Sequence, residues 1–194
     1  LLFAGLLLAL TASVAMAAGV GVSWKNFCWG EDGSSTDLTW LCNSNVNANI
    51  RMTCSYKVDT AIPDFAAVGV YMEGMTEAAV VPDWWKMGPT ETGDCRANLI
   101  TLSADGSVLA NGGADVCFDP WAGLGGGGIG LYSWDGNRMH VNAAYAVPDP
   151  IELLAETEYF AVQFRVAATK TAGATGCAGC LVPAIWGLTK VVVA

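Results

Sequence analysis

Seven cysteines, eight tryptophans and eighteen acids, set against nine lysines and arginines, are the side chains best equipped for chemistry in this chain. One stretch, CFDPWAGLGGGGIG at residues 117–130, gathers a cysteine, an acid and a tryptophan beside a run of glycines. The run matches G-x-G-x-x-G twice, as GLGGGG and as GGGGIG. A dinucleotide site needs that pattern between a strand and a helix whose N-terminus holds the pyrophosphate. Here Asp119, Pro120 and Trp121 precede the glycines and the strand-like GIGLYSW follows them. No helix is available, so no nucleotide is expected. The glycines read as a flexible connector between Cys117 and a strand beginning near Ile129, which leaves Asp119 and Trp121 as the contact residues of the loop.

CAGC at 177–180 offers a second kind of chemistry. A structural zinc site needs four ligands, and His140 is the sole histidine beside otherwise unrelated cysteines. A redox dithiol belongs between a strand and a helix, and no such unit is evident. No metal and no cofactor are expected, and the cysteines read as disulfides.

The opening LLFAGLLLALTASVAMA supports that reading. Its leucine-rich core runs into small residues ending in Ala15-Met16-Ala17, the pattern of a signal-peptidase site, although Met and a basic n-region are missing. Residues 1–17 are therefore predicted to be a signal peptide truncated at its N-terminus, and 18–194 a β-sandwich domain. Export places the cysteines where disulfides persist. The odd total leaves one thiol over, and Cys54 is the choice because it falls on the apolar face of a strand. The expected pairs are Cys28 with Cys42 and Cys95 with Cys117; Cys177 with Cys180 is a third candidate pair whose connectivity the sequence leaves open.

Trp84 and Trp85 are adjacent in VPDWWKM. In an extended chain successive side chains point to opposite faces, so one indole is expected to face outward. An outward Trp84 or Trp85, with Asp119 and Trp121, makes a candidate contact set for a sugar ring or for a protein partner. Glycoside hydrolysis needs a carboxylate pair, for which Asp115 with Asp119, or Glu31 with Asp32 and Asp37, are available. Loop acids of this kind more often close Asx turns. The chain shows no G-x-S-x-G, H-E-x-x-H or EF-hand pattern, and its net charge of -9 argues against nucleic acid, whose binding needs a basic stripe.

Strands must position these residues. Ile50, Met52, Cys54, Tyr56 and Val58 alternate with polar neighbours, a period-two pattern with one face in a core. EYFAVQFRVAAT and MHVNAAYAV repeat it, and GVGVSW, AAVGVYM, NLITLS and AIWGLTKVVV are weaker examples. Turn clusters such as GEDGSSTD, NGGAD and WDGN separate them, and only DPIELLAET suggests a brief helical turn. The fold class predicted is all-β: one antiparallel sandwich, Greek-key or jelly-roll-like, with long loops and disulfides.

PDWWKM, TGDCR, CFDPWAGLGGGGIG, GNRMHV, ETEYFAVQFRV followed by Lys170, and CAGCLVP occur in that order. This arrangement resembles an uncharacterised family of exported bacterial proteins of about this size. The resemblance implies export, paired cysteines and a β-sandwich, and transfers no activity or binding residue. The expectation is a secreted or cell-surface binding module for a polysaccharide or another surface protein. A self-associating subunit of a surface layer or fibre is the alternative, and a carbohydrate-active hydrolase the second alternative.

Overall fold

The computed structural model describes residues 19–46, 50–89, 94–109 and 117–194. The segment predicted as a signal peptide lies outside them, and so does Asp115. Among the described residues nine strands form: β1 (Gly19–Trp24), β2 (Ile50–Lys57), β3 (Ile62–Thr76), β4 (Ile100–Ser103), β5 (Cys117–Phe118), β6 (Gly126–Asp135), β7 (Arg138–Leu153), β8 (Glu158–Val166) and β9 (Ala184–Val193). One sheet has the order β1-β2-β8-β4, with β5 parallel to the start of β8; the other has the order β6-β7-β3-β9. Every other pairing is antiparallel, which is the all-β sandwich that the alternation predicts.

The alternating residues meet between the sheets. Ile50, Met52, Cys54 and Tyr56 of β2 and Phe160, Val162, Phe164 and Val166 of β8 bury against Phe65, Val68, Val70 and Met72 of β3 and Met139 and Val141 of β7. Each such side chain contributes roughly 1.5–3 kcal/mol by leaving water. The Cys54 sulfur lies 3.5 Å from Met72 Sδ, so it sits at the join of the two layers.

The polar positions of β2 and β8 are covered too. Thr53 donates to Lys25 O at 2.8 Å, Gln163 Nε2 donates to Thr53 Oγ1 at 3.0 Å, and the Trp29 amide donates to Ser55 Oγ at 3.4 Å. The segment after β1 thus closes over the outer face of its own sheet, which makes these small polar side chains internal and hydrogen-bonded, as buried polar groups must be.

Two local expectations are corrected. DPIELLAET does not begin a helical turn: β7 continues through Pro148 and Pro150 to Leu153, pairing Ile151 with Phe65 and Leu153 with Ile62. Two register shifts in β3 accommodate that stretch, and pairing over its full length outweighs the local helix signal. The glycines are not a connector either. β6 starts at Gly126, where Gly126, Gly127 and Gly128 pair with Ala146, Tyr145 and Ala144 of β7.

Candidate functional site

The six paired cysteines form Cys28–Cys117, Cys42–Cys180 and Cys95–Cys177, with sequence separations of 89, 138 and 82. Both expected pairings and the third candidate are corrected. Each bridge joins segments distant in sequence, so nearness along the chain does not select the partners. The CAGC turn carries Gly179 at a φ of 96° and sends its two thiols to different partners. Cys54 is the free cysteine and is buried. Burial pushes its thiol far up, so it stays neutral and is no nucleophile.

The tryptophans predicted to make contact are internal. Residues Asp83–Trp85 follow Pro82 as one turn of 3-10 helix, so the two indoles do not alternate as on a strand, and both are buried. Trp84 Nε1 donates to Thr171 Oγ1 at 3.1 Å, and Trp85 Nε1 donates to Val182 O at 3.0 Å. The Arg96 guanidinium lies 3.9 Å over the Trp84 ring and donates to Trp84 O and Ala167 O. Burial lowers this group to about 10.

Trp121 fills the core between Phe65 and Tyr145, with ring centroids at 5.4 and 4.9 Å, and donates to Ala161 O at 2.8 Å. Asp119 accepts from the Trp121 amide at 3.0 Å and packs on Gly106. Burial raises this carboxyl, against backbone hydrogen bonds from Trp121, Gly106 and Ala122 that lower it. Asp119 therefore joins two loops. None of these four residues presents an open platform. Of the other acids considered, Glu31 is buried and accepts from the Cys28 amide at 2.7 Å.

What Trp84 and Trp85 do is support two other indoles. Trp40 stacks on Trp84 at 5.5 Å and 25°, and Trp186 packs on Trp85 at 6.2 Å. Trp40 and Trp186, with Trp24, Asp37 and Thr39, line a cleft of about 610 Å³, a size usual for ligand sites. Trp24 ends β1; its amide donates to Ser35 O at 2.9 Å and its indole to Thr36 O at 3.1 Å. Ser35 Oγ donates to Asp37 O at 2.6 Å, which tightens the turn at the cleft mouth. Cys42–Cys180 then straps this segment to the one that enters β9.

Two features mark this cleft. Neither Trp40 Nε1 nor Trp186 Nε1 has an acceptor among the described residues, although both atoms are buried. An unpaired buried donor costs roughly 1–3 kcal/mol. At the rim, Leu181 and Ile185 are exposed by 80 and 72%, and Leu41, which lines a neighbouring hollow, by 76%. Grouped apolar side chains this open are characteristic of contact surfaces.

The flank that holds the cleft extends further. β1 and β9 are edge strands of opposite sheets, and both border a second hollow of about 500 Å³ lined by Gly19, Val20, Tyr56, Ile62, Val191 and Val193. The Tyr56 hydroxyl is buried and likewise has no partner among the described residues. The glycine run contributes elsewhere, to an open trough of about 510 Å³ on the outer face of the β6–β7–β3 sheet.

Trp24, Trp40 and Trp186 were not singled out by sequence reasoning. They lie far apart in the chain and are united by a disulfide that spans 138 residues, so no local pattern announces them. Comparison with family models, with curated proteins and with solved structures finds no match for the chain.

Proposed function

We propose that the protein is an extracellular binding and assembly module whose partner, another polypeptide, docks on the β1–β9 flank. The observation that carries this reading is the aromatic cleft, rimmed by the exposed Leu181 and Ile185, with two buried indole N–H groups that have no acceptor among the described residues. A partner that covers aliphatic side chains and packs on the aromatic walls of the cleft fits that chemistry. Three disulfides are consistent with an oxidising compartment, and among the described residues no helix is long and apolar enough to cross a membrane. Secretion or display at the cell surface extends that observation.

The double substitution Leu181→Ser and Ile185→Ser tests the docking surface. Both side chains are mostly exposed, so stability should shift by no more than about 0.5 kcal/mol. The fraction of the protein recovered in complexes from the producing cell's extracellular material should fall at least about tenfold, equivalent to roughly 1.4 kcal/mol of binding. Unchanged complex formation would contradict the reading.

A second reading, saccharide binding in the same cleft, is favoured by three tryptophans set beside Asp37, Thr36 and Thr39. It predicts retention on a polysaccharide that Trp40→Ala abolishes and that Leu181→Ser with Ile185→Ser leaves intact.

A further inference from the structure

Resting on that reading, we infer that the partner docks as an added β-strand along β9, with apolar side chains in the two hollows and an acidic residue opposite Lys190. β9 spans Ala184–Val193 and among the described residues pairs with β3 alone, so one edge of a ten-residue strand has no strand partner there. Such an edge is a template for main-chain pairing, in which backbone hydrogen bonds give affinity and side-chain pockets give specificity. The pockets are in place. Trp186 borders the aromatic cleft near the start of β9, and Val191 and Val193 border the second hollow near its end. At about 3.3 Å per residue the anchors of an extended partner would lie roughly six residues, or about 20 Å, apart.

The chemistry of the strip selects the occupant. β1 and β9 read GVGVSW and AIWGLTKVVV, and Lys190 is their one charge. It lies 5.4 Å over the Tyr71 ring on the exposed face of its sheet, where a cross-strand neighbour would meet it. Trp40 and Trp186 of the first hollow and Tyr56 of the second each hold a buried polar atom with no partner among the described residues. Asp37 and Asp59 sit at the two outer ends, and Lys57 is already paired with Glu156 at 2.9 Å. An apolar segment with a central acid complements this strip. A second copy laid β9 to β9 would bring a strip whose one charge is also Lys190, and so would offer no acid to it.

The test uses the folded full chain and N-acetylated peptides of about ten residues, alternating valine and threonine, with glutamate, serine or lysine at the centre. The glutamate peptide should bind about fivefold tighter than the lysine peptide, the scale of a cross-strand charge pair. Lys190→Glu, at an exposed site, should reverse that order. Trp186→Phe shrinks the ring that borders the aromatic cleft and should weaken the glutamate peptide severalfold. Failure of all three peptides to bind, or an order indifferent to Lys190→Glu, overturns strand addition. Dimers that depend on β9, or competition by a polysaccharide alone, overturn it as well. If strand addition fails while Leu181→Ser with Ile185→Ser still disrupts complexes, the docking surface stands and only the mode of docking is wrong.

Discussion

Gly106 shows how closely single side chains are held. A Cβ at that position would run into the Asp119 carboxylate, which joins the loop after β5 to the one after β4. Gly106→Ala should therefore destabilise by about 1–3 kcal/mol, the usual cost of overpacking. Calorimetry should show a fall in melting temperature of roughly 2–4 °C for each of those kilocalories. An unchanged melting temperature would mean that Asp119 moves freely and is not a tie.

At the same scale, Cys54 was legible in the sequence because strict alternation put it on a core face, and it is the free thiol. Trp84 and Trp85 were not, because the expectation of one inward and one outward ring assumed a strand. The 3-10 turn after Pro82 removes that alternation and buries both rings. Adjacent tryptophans announced aromatic importance. Only the geometry shows that their role is to back Trp40 and Trp186.

At the scale of elements, the strands with clean period two appeared where alternation places them, β2 and β8 above all. β6 was partly hidden because glycines carry no side-chain pattern, and the length of β7 was masked by Pro148 and Pro150. The disulfides were the least legible elements, since connectivity depends on which loops cross in space. In the chain-entropy account, loops of 82 to 138 residues restrict the unfolded chain by about 4.5–5 kcal/mol each.

Cys42–Cys180 joins the two walls of the aromatic cleft, so its removal should act locally as well as globally. Cys42→Ser with Cys180→Ser should cost about 2–5 kcal/mol, the range for removing a native disulfide, with a loop this long at its upper end. It should also shift tryptophan emission to the red as Trp40 gains water, while the far-ultraviolet strand signal persists. Loss of all strand signal, or emission that does not move, would contradict the role given to this bridge.

For the whole molecule, the sheet orders bring β1 and β9, the first and last of the described strands, to a shared flank. No pattern in the sequence declares this, because alternation reports which face of a strand is buried and is silent about its neighbours. Among the described residues the flank combines a strand edge without a partner, two hollows lined by Trp40, Trp186 and Tyr56, and an aliphatic rim. The opposite edge of the same sheet, β6, begins with glycines and offers no comparable set of anchors.

The claim that the β1–β9 flank is where a polypeptide partner binds is tested most directly by a photo-crosslinking amino acid placed at Ile185, with Leu131 on β6 as the matched exposed control. In the producing cell, Ile185 should yield a discrete polypeptide adduct and Leu131 none. Equal labelling at the two positions, or no polypeptide adduct at Ile185 while the protein remains bound to polysaccharide, would contradict the account.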